Sequence, residues 1–189
     1  MAISAADLLR LILPVLLGRR SGAHMKLVRL TDVDRGAVCT DGTPAGYYWE
    51  VGPGDQQSSV WVVYMQGGDW CYSAETCRQR CGNPRNPLCS SSAWEEIYQD
   101  PPYPCGDGHW GTACGIFAAE HGSVIKTANK VFLRYCTSDA HMGNAEAFGY
   151  QFRGHRVVRA VLADLVKRHG LGFGLGGKKD TMVFGGGST

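Results

Sequence analysis

The alternation of apolar and polar positions divides the chain into a small set of elements. Val60-Trp-Val-Val-Tyr-Met65 and Lys130-Val-Phe-Leu-Arg-Tyr135 are near-continuous apolar runs. Such runs suit strands buried on both faces of a parallel sheet. Met25 to Leu30 alternates loosely and predicts a first strand, and the aromatic-rich Tyr47-Tyr-Trp-Glu-Val51 predicts another. The clearest helical pattern runs from Gly154 to His169. There Val157, Val158, Val161, Leu162, Leu165 and Val166 make one apolar stripe. Arg156, Arg159, Asp164 and Lys167 take the other faces, and Gly170 is a ready stop. A last apolar run, Met182-Val183-Phe184, breaks into Gly185-Gly-Gly187 and then Ser188-Thr189. Residues 141–152 read as loop. Residues 72–125 hold most of the cysteines and the prolines from Pro84 to Pro104, and they read as a long irregular excursion with one short helix over Ala93–Tyr98.

The resulting order is strand, glycine loop, excursion, strand, helix, strand, Gly-x-Ser. A crossover helix between the last two strands implies that they are parallel. Gly67-Gly68, directly after a buried strand, frees backbone N–H groups to face a ligand, as an oxyanion hole requires. Gly186-Gly-Ser-Thr189 supplies four of the five positions of Gly-x-Ser-x-Gly, the strand-to-helix turn that presents a nucleophilic serine. Taken alone, a glycine-rich tail reads as a flexible end. In an α/β-hydrolase, however, the oxyanion loop precedes the elbow with strand and helix between them, and that spacing is reproduced here. The expected fold class is α/β, an incomplete α/β-hydrolase-like fold with a parallel central sheet and a disulfide-stapled excursion.

Composition narrows the setting. The chain has 189 residues, is 44% hydrophobic and carries a formal net charge of +2, which argues for one domain and gives no support to nucleic acid as a partner. The apolar stretch Leu8–Leu17 is too short to span a bilayer but suits the core of a signal peptide over residues 1–23, with an amphipathic helix as the alternative. The domain then covers residues 26–189. No other stretch could span a membrane. Eight cysteines, at positions 39, 71, 77, 81, 89, 105, 114 and 136, point to disulfides in an oxidising compartment. Zinc is the rival reading, through Cys105, His109 and Cys114 or Cys77 and Cys81, but the chain has no Cys-x2-Cys knuckle. No metal or cofactor is therefore expected. Asn-x-Ser/Thr does not occur, so N-glycosylation gives no support to secretion.

Several motifs in order resemble one family, the pectin acetylesterases and their animal relative Notum. They are Cys39-Thr-Asp-Gly-Thr-Pro-Ala-Gly-Tyr-Tyr48, Gln66-Gly-Gly-Asp-Trp-Cys71 with Cys77, Arg134-Tyr-Cys-Thr-Ser-Asp139, Phe152-Arg-Gly154 and Gly186-Gly-Ser-Thr189. The resemblance implies a secreted, monomeric serine carboxylesterase with Ser188 as nucleophile. It implies backbone N–H donors at Gly68, Asp69 and Thr189, and disulfides Cys39–Cys136 and Cys71–Cys77. Cys81, Cys89, Cys105 and Cys114 are expected to pair among themselves. An acetylated polysaccharide leads as substrate, ahead of a fatty acyl group on a protein or a non-catalytic role. Two departures stand out. Asp69 puts a carboxylate beside the oxyanion position, which raises the barrier unless it points away. The acid and histidine that follow the serine in this fold are not found after Ser188, so this stretch is expected to be the N-terminal portion of the enzyme and inactive alone. His109 and His141 are expected to be surface or loop residues.

Overall fold

The computed structural model describes residues 24–52, 58–99, 125, 127–174, 177 and 179–187. The region 1–23, Cys105, His109, Cys114, Ser188 and Thr189 lie outside the described residues. The strands are β1 (His24–Arg29), β2 (Gly46–Glu50), β3 (Val60–Met65), β4 (Ile97–Gln99), β5 (Asn129–Leu133), β6 (Ala145–Ala147), β7 (Tyr150–Phe152) and β8 (Thr181–Gly186). The helices are α1 (Ala74–Cys81) and α2 (Gly154–His169).

Six strands form one sheet in the order β4-β1-β2-β5-β3-β8. The block β5-β3-β8 is parallel, while β2, β1 and β4 extend it antiparallel. β5 and β8 are parallel, as the helix between them implied, but they are not neighbours, because β3 lies between them. The continuous apolar runs have the expected environment. Trp61, Val62 and Val63 of β3 and Val131, Phe132 and Leu133 of β5 are all buried. Trp61, Val63, Val131 and Leu133 join a core with Val157, Val161 and Leu165 of α2, whereas Val62 and Phe132 pack on the opposite face with Tyr48 and Met25.

α2 has the expected bounds, and Gly170 closes it in the left-handed conformation at φ 71°. Its buried face is rotated from the expected stripe. Ala160 and Asp164 are buried, while Val166 is 43% exposed. Asp164 is therefore not on a solvent face. Its carboxylate accepts from the Tyr47 hydroxyl at 2.6 Å and from Arg168, which provides the partners that a buried charge needs. Burial and the hydrogen bond to Asp164 push the Tyr47 phenol well above its ordinary value.

Two local expectations are corrected. Ala93–Tyr98 does not form a helix, because Ile97–Gln99 pairs onto β1 as β4, with Tyr98 opposite Met25. Among the described residues the excursion holds α1, which begins earlier. Its signal was a capping box: Ser73 accepts from the Thr76 N–H, and the Thr76 hydroxyl accepts from the Ser73 N–H. Residues 141–152 are not all loop, since β6 and β7 make a hairpin with Ala147 opposite Tyr150. Phe148 and Gly149 both have positive φ, as a two-residue type I′ turn demands. Phe148 hides that turn, because a bulky residue is a poor advertisement for positive φ.

Disulfides join Cys39–Cys136, Cys71–Cys77 and Cys81–Cys89. The first two are those implied by the resemblance. The third agrees with pairing inside the excursion. Among the described residues no helix is long and apolar enough to cross a membrane.

Candidate active site

Parallel strands in register bring their carboxyl ends to one side of the sheet, where ligands of open α/β sheets bind. Met65 pairs with both Leu133 of β5 and Gly186 of β8. The three segments that follow these strands therefore emerge together. They line a cleft of about 150 Å³ formed by Met65–Trp70, by Tyr135, Ala140 and His141, and by Gly186–Gly187.

The loop after β3 carries the expected oxyanion residues. Gly68 has φ 144° and Asp69 has φ 53°, two consecutive residues in conformations that side chains disfavour. A Cβ on Gly68 would lie 2.9 Å from Leu88 Cδ2, so glycine is required for space as well. The N–H groups of Gly68 and Trp70 have no acceptor among the described residues. Asp69 is exposed at the cleft mouth.

The segment after β5 supplies the second wall. Gln66 accepts the Tyr135 N–H through Oε1 at 3.2 Å, and its own N–H donates to Leu133 O at 3.0 Å. A neutral glutamine therefore serves as a backbone acceptor here. Asp139 gathers the Thr137 hydroxyl at 2.6 Å, the His141 N–H at 3.0 Å and the Gly154 N–H at 2.7 Å. It thereby caps α2, whose own N-cap residue Arg153 makes no side-chain cap. Ser138, Ala140 and His141 all have positive φ, a concentration of unusual backbone beside the cleft.

His141 belongs to the cleft and not to a free loop. Its ring packs 4.7 Å from that of Tyr135, and Nε2 lies 2.9 Å from the Gln66 carbonyl oxygen. Because a carbonyl can only accept, Nε2 carries the proton. Nδ1 is buried without a partner, and burial holds the imidazole pKa below its ordinary value. A neutral ring whose N–H is committed to a carbonyl anchors the loop; that N–H goes to no carboxylate, unlike that of a Ser-His-Asp triad, and Nδ1 keeps its lone pair. Its chain signal was position alone: it follows a buried strand at the same end of the sheet as the glycines.

β8 brings Gly186 and Gly187 to the cleft. Gly187 donates its N–H to Met65 O at 3.0 Å, and a Cβ on Gly187 would sit 2.6 Å from the Tyr64 hydroxyl. Tyr64 therefore packs against the residue directly before Ser188. Gly68 and Asp69 are thus gathered beside the strand that leads to the serine. Sequence reading assigned no role to Tyr64, Tyr135 or Arg80, although Tyr135 lies within the Arg134–Asp139 motif. No group of three or more His, Cys, Asp and Glu that could hold a metal occurs among the described residues.

The family model described as Pectinacetylesterase matches residues 19–174. The chain belongs to this family. It is 34% identical to palmitoleoyl-protein carboxylesterase notum2 of Xenopus laevis over 133 residues, which cover 69% of this chain and 24% of that protein. It is 31% identical to pectin acetylesterase 7 of Arabidopsis thaliana over 142 residues, or 72% of this chain and 32% of that one. Among solved structures it resembles the Wnt deacylase Notum from Drosophila, with a TM-score of 0.60 and 26% identity over 78% of this chain and 39% of that chain. The fold is that of an α/β-hydrolase. The chain spans about a quarter to a third of the length of these two curated relatives.

Proposed function

We propose that this chain carries the nucleophile and oxyanion half of a serine carboxylesterase site. One observation carries the reading: the strained Gly67-Gly68-Asp69 loop and Gly186–Gly187 line one cleft at registered strand ends, one residue before Ser188. In the complete reaction Ser188 Oγ bonds to the ester carbonyl carbon. The developing oxyanion is held by N–H groups of Gly68, Asp69 and Thr189. The alcohol departs with a proton, and water then releases the carboxylic acid.

An acetyl ester of a polysaccharide is the leading substrate, in line with the pectin acetylesterase of Arabidopsis among the relatives. A fatty acyl group on a protein, the substrate type in the name of the Xenopus relative, is the alternative. Three disulfides fit folding in the secretory pathway, with the finished protein a secreted monomer. The histidine lining the cleft gives its N–H to a main-chain carbonyl and not to a carboxylate, the orienting group of a triad, which favours a second reading of residues 1–189 as non-catalytic by themselves. Losing a triad member typically costs about 10⁴-fold in kcat.

The test is Ser188 phosphonylation by short-chain and long-chain p-nitrophenyl alkylphosphonates, read by mass spectrometry, beside p-nitrophenyl acetate turnover. The expected outcome is slow labelling lost in Ser188→Ala, faster with the short chain, and no turnover above the Ser188→Ala background. Labelling that persists in Ser188→Ala would refute the nucleophile. Turnover that Ser188→Ala abolishes would show that residues 1–189 recruit a base.

A further inference from the structure

Arg80 is the last-turn residue of α1 whose side chain turns away from solvent and back to the loop after β3. Its Nη2 donates to Gly68 O and, at 3.2 Å, to Asp69 O. Its Nε donates to Ser138 Oγ at 2.9 Å, and its guanidinium lies 5.8 Å from the centre of the Tyr135 ring. One planar fork therefore touches both strained residues of the oxyanion loop and the turn after β5.

The consequence follows from peptide geometry. In a trans peptide the C=O of one residue and the N–H of the next are antiparallel in one plane. Holding Gly68 O toward Arg80 turns the Asp69 N–H away from it, and holding Asp69 O does the same for the Trp70 N–H. Gripping the two carbonyls thus sets the direction of two donors on the cleft-lining loop. The surroundings hold Arg80 in place. Cys71–Cys77 and Cys81–Cys89 staple the two ends of α1, and Asn86 Nδ2 donates to the Arg80 carbonyl at 2.6 Å. Ser138 Oγ also receives the Thr40 hydroxyl at 2.9 Å, so the acceptor for Nε is itself fixed.

We propose that Arg80 is a positioning residue of the oxyanion site: it aims the Asp69 and Trp70 N–H groups by holding the carbonyls of Gly68 and Asp69. This rests on the esterase reading of the cleft, and it adds the Trp70 N–H to the donors. A capped, doubly stapled helix is then a device for presenting one guanidinium to the loop.

The experiment compares the 189-residue chain with Arg80→Met, Arg80→Lys and, as control, Arg78→Met, an exposed position on the same helix. Two readouts are taken: ¹⁵N relaxation of the Asp69 and Trp70 amides, and the rate of Ser188 phosphonylation by the short-chain phosphonate. In Arg80→Met the two loop amides should lose order while the amides of Val62 and Phe132 stay unchanged. Labelling should slow by roughly tenfold or more. Arg80→Lys, which keeps the charge but not the fork, should recover part of both effects, and Arg78→Met neither. Loop amides and labelling unchanged in Arg80→Met would overturn the proposal. If Arg80→Met does not fold, Arg80→Lys decides alone, and wild-type loop order with wild-type labelling in it would be the refutation. If Ser188 is not labelled in the wild type, the nucleophile reading fails while the amide readout still judges the grip of Arg80.

Discussion

The two glycine segments that meet in the cleft are held very differently. The loop after β3 leaves a central strand buried on both faces and is fixed by Arg80, by the His141 ring and by the Cys71–Cys77 disulfide. The segment after β8 leaves the edge strand of the described sheet, with Val183 38% and Phe184 52% exposed. Its ladder runs to β3 alone, and its last described contact is the Gly187–Met65 hydrogen bond. On the proposed reading, the difference separates the two halves of an esterase site. The charge-stabilising half is preorganised, as electrostatic catalysis demands, while the nucleophile half borrows its position from the neighbouring strand.

Four measurements would break or sharpen that contrast. The largest effect is expected from the disulfides behind the fixed half. Removing Cys39–Cys136, which closes a separation of 97 residues, should cost about 4 kcal/mol in chemical denaturation, whereas removing Cys71–Cys77, with a separation of 6, should cost about 2. Equal losses would mean that strain, and not loop length, governs both. Next, Val63→Ala in β3 should destabilise by about 2–3 kcal/mol and Val183→Ala in β8 by about 0.5, since only the first leaves a cavity in the core. A Val183 effect as large as that of Val63 would show a β8 edge that is covered in solution.

The glycines themselves give a smaller contrast. Gly68→Ala meets both a positive φ and the Leu88 side chain and should cost roughly 2 kcal/mol. Gly187→Ala meets the Tyr64 hydroxyl but no positive φ, and should cost less, about 1 kcal/mol. A reversed order in melting experiments would place the strain at the serine end. The smallest effect is that of pH. Burial holds the folded His141 below the ordinary value of 6.5, so the unfolded chain binds more protons between the two values. Its contribution is intact above about pH 6.5 and is lost as the pH falls from there toward the lowered folded value. His169, also lowered by burial, acts in the same sense. His141→Gln should therefore flatten the fall in denaturation midpoint from about pH 7 to 5, and an unchanged slope would remove His141 from the account.

Much of the fold was legible because burial leaves a local signature. β3 has the bounds of its apolar run and α2 those of its helical stripe, while the aromatic run Tyr47–Val51 became β2 one residue earlier. The elements that escaped are those whose reason lies elsewhere in the chain. β4 exists because β1 offers it an edge, and a three-residue strand has no period of its own. Asp164 looked like a surface residue until Tyr47, 117 positions away, supplied its partner. The glycine loop was legible as an oxyanion candidate, but nothing near it in sequence announced the side chains that hold it.

The chain's own pattern therefore determined which segments must be buried, where the helix stops, and that glycines follow two strands ahead of a serine. Each of these depends on a few consecutive residues and their hydrophobic period. Tertiary structure alone decided that β3 lies between β5 and β8, that His141 belongs to the cleft wall, and that Arg80 grips the loop. These are matches of shape and hydrogen-bonding capacity between distant residues. They come into being only when the sheet brings three strand ends to the same side.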